Sequence, residues 1–162
     1  MSPRRRPVSN PLPGLTRLAA LPLLSRSYVS GLHNAKRMQV TYYSRDSDGA
    51  LVAQLRFRSG AEGPPGHVHG GALAAALDEA MGIGAWLSGH QVVAAKLSVE
   101  FKRLVPLELP AMLEAWVESA EGRKVTTRGR IVGPDGEAYT LGEGLYVTLA
   151  PDRFGSMQDG AG

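Results

Sequence analysis

From Gly70 to Leu87 the chain carries a run dominated by alanine, glycine and leucine, broken by only two charges, Asp78 and Glu79. Alanine and leucine are strong helix formers, and no β-branched residue occurs before Ile83. Leu73, Leu77 and Met81 mark one face, yet Ala72, Ala75, Ala76, Ala80 and Trp86 cover most of the rest. A helix apolar nearly all round has to be wrapped by its surroundings rather than laid on a surface. The small residues Ala72, Ala75, Ala76, Gly82, Gly84 and Ala85 let the wrapping elements approach closely. Asp78 and Glu79 then become ionised groups in a buried element, costly unless something uses or pairs them. They are the first candidates for chemistry.

The wrapping elements read as strands. From Met38 the apolar period is two: Met38, Val40 and Tyr42 alternate with Gln39, Thr41 and Tyr43. A turn at Asp46-Ser47-Asp48-Gly49 leads to Leu51, Ala53, Leu55 and Phe57, completing a hairpin signature. A proline-containing loop, Gly60–Gly66, enters the helix, which is expected to end at Ser88-Gly89 with glycine left-handed. Alternating strands follow around Leu97–Phe101, Leu113–Val117, Lys124–Val132 and Leu141–Leu149. Gly133-Pro134-Asp135-Gly136 punctuates the last two as a turn. The order is ββαββββ, an α+β arrangement with an antiparallel sheet curved around one long central helix.

At 162 residues the chain fits one domain with a sizeable core. The absence of cysteine excludes disulfides, thiolate metal sites and a cysteine nucleophile. The net charge of +3 is uneven: residues 1–37 hold seven basic residues and no acid, while the remaining 11 basic and 15 acidic residues leave the body at −4. A general affinity of the body for nucleic acid does not follow, and no nucleic-acid partner is expected. Arg4-Arg5-Arg6 with Pro7, Pro11 and Pro13 keeps the first dozen residues extended. Leu15–Leu24, interrupted by Arg17 and Pro22, is too short to span a bilayer. Residues 1–37 are read as a partly disordered basic arm ending in a short docking helix, an organellar leader being the alternative. The body is then 38–150, and 151–162 is a flexible tail. The expected location is cytoplasmic.

Gly70 and Gly71 stand where the helix begins. The first N–H groups of a helix lack internal partners, its dipole makes that end partly positive, and glycine admits a ligand atom close to the backbone. Such an end suits an oxygen gaining negative charge, and one donor of this kind contributes ~3 kcal/mol to a transition state. Asp78 lies eight residues beyond Gly70, ~12 Å along the axis. That is too far to act on the same carbonyl. Either the two are unrelated, or a second subunit brings its own Asp78 opposite this Gly70.

The run His69-Gly70-Gly71 with Asp78, the order ββαββββ, Leu97–Leu107 and Glu121-Gly122-Arg123-Lys124 together resemble hotdog-fold acyl-CoA thioesterases of the PaaI-like branch. The resemblance covers about residues 38–149. It implies a homodimer whose sheets join edge to edge, often paired into a homotetramer, with sites at the interface and no cofactor. The N–H of Gly70 would receive the thioester carbonyl, and His69 would shape the site. The partner's Asp78 would activate water, or attack to form an anhydride. Gly71 and His67 would line the substrate, and Lys102, Arg103, Arg123 and Lys124 would contact CoA phosphates. Two positions depart from the family pattern. An Asn or Gln is common fifteen residues before the Asp, here Gly63. A hydroxyl serves in some members sixteen residues after it, here Ala94, with Ser88 and Ser98 out of register. His67 is the first candidate to fill in.

Other readings stand beside these. Asp78 could be a structural carboxylate paired with an arginine across a subunit contact. Glu79 points ~100° away from it and is solvated or bridging. His67 and His69 form an H-x-H pair without a third ligand at suitable spacing, so no metal is expected. Arg128 and Arg130 share a strand face that is either solvated or phosphate-binding. The function expected is hydrolysis of an acyl-CoA thioester to free acid and CoA. The alternatives are a non-catalytic acyl-CoA-binding protein, a hydratase (disfavoured because the helix holds no His) and a dimeric interaction protein acting through its basic arm.

Overall fold

The structure, a computed structural model, describes residues 12–18, 26–150 and 153. Seven strands form one antiparallel sheet around the helix α1 (Gly70–Leu87): β1 (Leu15–Arg17), β2 (Met38–Arg45), β3 (Leu51–Phe57), β4 (Val92–Phe101), β5 (Ala111–Glu121), β6 (Lys124–Val132) and β7 (Ala138–Thr148). Their spatial order is β1-β2-β3-β5-β6-β7-β4. The chain therefore leaves β3, crosses the concave face as α1, descends the far edge as β4 and returns to pair β5 with β3. From Met38 on, this is the ββαββββ order of the sequence pattern.

The turns fall where their residues require. Gly49, Gly89, Gly122 and Gly136 all adopt positive φ, and α1 ends at Ser88 with Gly89 at φ +90°. Leu51, Ala53, Leu55 and Phe57 turn into the core with Leu73, Leu77, Ala80 and Met81.

What seats the helix is missing side chains. Gly129 of β6 and Gly142 of β7 stand directly opposite each other. A Cβ at Gly129 would lie 3.0 Å from Leu77 Cδ2 and 3.3 Å from the Glu114 carbonyl oxygen, and one at Gly142 would lie 3.2 Å from Leu77 Cδ1. Leu77 and Met81, both fully buried, thus enter a notch where the sheet offers only backbone. Burying each such side chain contributes roughly 1.5–3 kcal/mol.

Leu15–Arg17 forms a strand that the sequence pattern did not show, pairing with Tyr43–Arg45 along the outer edge of β2, which offers it ready hydrogen bonds. The folded body also begins before residue 38. Val29 and Asn34 are buried, and Asn34 Nδ2 donates to the Tyr28 and Val29 carbonyls at 2.7 and 2.9 Å around a short 3-10 turn at Leu32–Asn34. The extended first dozen residues and the flexible tail lie outside the described residues, Arg153 apart. Among the described residues no helix is long and apolar enough to cross a membrane.

Gly129→Val places branched methyls in the Leu77 notch. Urea unfolding is expected to show a loss of about 1–3 kcal/mol, the usual cost of overpacking a tight core site.

Candidate functional site

The entrance to α1 is held by two loops. Val68 N donates to the Val105 carbonyl at 2.8 Å, His67 and Pro106 form an isolated bridge, and Leu107 N donates to Gly66 O at 3.1 Å. Val105 is buried, so the segment after β4 acts as a clamp on the loop that presents His69. His69 N donates to Ala61 O at 2.8 Å. Gly63 lies against the same backbone: a Cβ there would stand 2.7 Å from His69 Cα. No side chain fits at Gly63, which is the physical reason it carries no Asn or Gln.

His69 is the N-cap of α1, and its Nδ1 accepts the Gly71 N–H at 2.8 Å. In the neutral ring the proton therefore sits on Nε2, leaving that N–H as a donor. This capping bond takes up the Gly71 N–H. Gly70 N–H has no acceptor among the described residues, so it is the backbone donor left at this positive end. The ring of Phe101, at the end of β4, covers it: a Cβ at Gly70 would lie 3.2 Å from Phe101 Cζ. His67 Nδ1 donates to the Pro65 carbonyl at 2.9 Å, away from any shared task with His69.

Two turns along α1, Asp78 is half-buried. The phenol of Tyr146, on β7, stands 2.7 Å from Asp78 Oδ1 and 2.8 Å from the Asp78 carbonyl oxygen. Burial, reinforced by the neighbouring carboxylate, pushes the Tyr146 phenol well above its ordinary range. Tyr146 is the cross-strand partner of Ala94. Sequence reasoning missed it, because nothing in one sequence sets the register of β7 on β4. Ser88 does not serve: its Oγ donates to Gly84 O at 2.9 Å, closing the helix end.

The four basic candidates divide. Lys102 pairs with Glu100 at 2.8 Å, and Arg103 pairs with Asp135 at 2.9 Å while lying 4.3 Å over the Tyr139 ring. Arg123 donates to the Thr148 carbonyl at the other end of β7, beside Lys124. Nine strand residues separate these ends, roughly 30 Å. Within one chain they cannot share a ligand's phosphates. Arg123, Thr148, Leu149, Ala150 and Arg153 line a surface cavity of about 510 Å³. Arg128 and Arg130 are engaged on the outer face, Arg128 with Glu118 and Glu143, Arg130 with Glu114 at 2.7 Å.

β4 ends the sheet, so its outer backbone row has no partner strand among the described residues. Leu97 and Phe101 are exposed along it, with Leu104 just beyond at 63%. A long apolar edge of this kind invites pairing with another strand.

A single antiparallel sheet wrapped on one helix, with His-Gly-Gly at the helix mouth and a carboxylate two turns on, is the hotdog arrangement. The profile described as Thioesterase superfamily matches residues 65–139. Acyl-coenzyme A thioesterase THEM4 of Xenopus laevis is 37% identical over 141 residues, covering 76% of this chain and 64% of the frog protein. Acyl-coenzyme A thioesterase THEM5 of Mus musculus is 41% identical over 89 residues, covering 54% of this chain and 36% of the mouse protein. A crystal structure of a thioesterase superfamily protein superposes with TM-score 0.64 at 36% identity, covering 67% of this chain and 53% of that one. The Escherichia coli PaaI protein shares the fold, with TM-score 0.61 at 17% identity over 70% of this chain and 80% of PaaI. Over residues 65–139 the chain thus resembles the thioesterase superfamily. It spans 64% of the frog THEM4 and 55% of the THEM4 of Bos taurus.

Glu79, the other carboxylate of α1, is the bridging group its position suggested. Tyr42 Oη donates to its Oε2 at 2.5 Å, Ser30 Oγ donates to Oε1 at 3.2 Å, and Ser27 Oγ also donates to Oε1. The carboxylate thereby ties residues 27–30 to the helix and to β2. Burial, then the Glu79 charge, holds the Tyr42 phenol neutral far above its ordinary range. In the unfolded chain the same phenol ionises near 10. Its contribution is complete below about pH 10 and is lost as pH rises further, because only the unfolded chain releases the proton. Above pH 10 the unfolding free energy of the wild type is expected to fall about 1.4 kcal/mol per pH unit faster than that of Tyr42→Phe, measured by urea titration at a series of pH values.

Proposed function

We propose that this protein is an acyl-CoA thioesterase working as a homodimer, with each site built from Gly70 of one subunit and Asp78 of the other. The observation that carries this reading is the unpartnered Gly70 N–H at the mouth of α1, on a chain whose curated relatives are named acyl-coenzyme A thioesterases. The free edge of β4 supports the assembly. Two β4 strands pairing antiparallel around Leu97–Ser98 set the Phe101 end of one beside the Ala94 end of the other. Phe101 covers Gly70, and Ala94 is the neighbour of Tyr146 and hence of Asp78. The same pairing brings Lys102 and Arg103 of one subunit toward Arg123 and Lys124 of the other, which suits the phosphates of CoA.

In this site the thioester carbonyl accepts the Gly70 N–H, and Nε2–H of His69 stands at the same mouth as a further donor. Asp78 takes a proton from water, the resulting hydroxide adds to the carbonyl, and the oxyanion forms against Gly70. Collapse expels the CoA thiolate, which recovers the proton from Asp78. In the alternative, Asp78 adds directly, expels the thiolate and forms an anhydride that water cleaves. A pair of such dimers makes the homotetramer. The compartment this reading assigns is the cytoplasm.

Wild-type protein is expected to release thiol from at least one member of a panel of aliphatic and aromatic acyl-CoAs. Asp78→Asn should lower that rate ~10²–10⁴-fold, the range for loss of a general base. No thiol release from any member by the wild type would overturn the reading. Gly70→Pro removes the N–H while leaving a residue favoured at the first helical position, and should lower kcat ~10²-fold or more. Mixing the Asp78→Asn and Gly70→Pro proteins under subunit exchange should then restore about a quarter of wild-type activity, since half the dimers are mixed and each holds one intact site. Recovery of nothing would place both groups in one subunit's task and sink the shared site.

A further inference from the structure

Asp78 is held by a hydroxyl rather than by a cation: among the described residues its carboxylate takes part in no ion pair, and its partner is Tyr146. The arrangement around that phenol is built for it. Tyr146 is 2% exposed. A Cβ on Gly144, its neighbour two residues back on the same face of β7, would stand 2.4 Å from Tyr146 Cε2. A Cβ on Gly82, one turn beyond Asp78, would stand 3.6 Å from Tyr146 Cε1. Ala94, paired with Tyr146 across β4, contributes only a methyl. The ring therefore packs over the bare backbone of Gly144, where any side chain would collide with it, to reach the carboxylate.

We propose that Tyr146 is the positioning residue for Asp78, fixing the carboxylate plane through Oδ1 so that Oδ2 is the oxygen that meets water or the thioester. The hydroxyl carries one proton and faces two acceptors. The ionised carboxylate is the stronger of them, and a donor to it favours the charged form. The phenol stays protonated throughout, because burial beside a carboxylate holds it far above the working pH. No proton passes through it. The hydroxyl absent at Ala94 is thus supplied from the adjacent strand. This inference rests on the reading of Asp78 as the reacting carboxylate.

The test is a pH–rate profile of thiol release for Tyr146→Phe, run on the best acyl-CoA of the panel alongside Asp78→Asn. Tyr146→Phe is expected to lower kcat ~10-fold or more with KM within about twofold, because orientation and not binding is lost. The acid limb of its profile should move upward, since the ionised carboxylate loses its donor. A tyrosine that merely filled the core would change unfolding and leave the limb in place. Should Tyr146→Phe not fold, 3-fluorotyrosine introduced at position 146 keeps the shape and strengthens the donor, and the limb should then move downward. If Asp78→Asn abolishes turnover while the position-146 variants leave kcat and the limb unchanged, the positioning role alone is overturned. If Asp78→Asn keeps the wild-type rate, the catalytic reading of Asp78 falls, and this proposal with it.

Discussion

The notch between Gly129 and Gly142 sets everything else in this molecule. Leu77 enters it, and because both walls are backbone, the helix has one depth and one rotation at that point. Successive helical residues are ~100° apart. With Leu77 aimed into the sheet, Asp78 turns toward β7, where Tyr146 meets it, and Glu79 turns toward β2, where Tyr42 meets it. Two adjacent carboxylates are thereby sent to opposite flanks. One is enclosed by three hydroxyls and fastens the N-terminal segment. The other is held on one side only, near the free edge of the sheet.

That asymmetry is chemical as well as spatial. Glu79 receives donors on both oxygens, which satisfies its charge and leaves it structural. Asp78 receives one donor on one oxygen. Its second oxygen receives no hydrogen bond among the described residues. The helix mouth repeats the pattern: the cap from His69 satisfies Gly71, while Gly70 keeps its N–H. At both points the fold engages one group fully and leaves its neighbour with an atom that has no protein partner among the described residues. Gly70 and Asp78 lie ~12 Å apart along the helix, which is why the proposed site draws them from two chains.

The sequence pattern shows the helix, its termination at Gly89, six of the strands and their turns, because each is written in local periodicity and in glycine or proline positions. β1 was not legible: three residues carry no period, and its strand state comes from the β2 edge it pairs with. The same holds for the segment 27–30, whose Ser27 and Ser30 hydroxyls reach Glu79 on the distant helix. Gly70, His69 and Asp78 were legible as a motif. Tyr146 was not, since its role depends on the register of β7 against β4 and on the clear space at Gly144. The division of the basic residues into Lys102–Arg103 and Arg123–Lys124 was equally hidden, because spacing along a chain says nothing about which end of a strand each pair reaches.

A phenol and a guanidinium would both orient a carboxylate, but they leave it with different reactivity. An adjacent arginine lowers a carboxylate's pKa by 1–3 units and weakens it as a base and as a nucleophile. A neutral donor on one oxygen perturbs it less and leaves the charge for the reaction. Arg45, Arg103, Arg128 and Arg130 are accordingly engaged elsewhere, with Asp48, Asp135, Glu114, Glu118 and Glu143. Burying a tyrosine against Asp78 requires a glycine at position 144, where any Cβ would meet the ring. The fold meets that requirement in the same small-residue lining that lets the helix settle onto the sheet, so seating the helix and presenting its carboxylate draw on one structural solution.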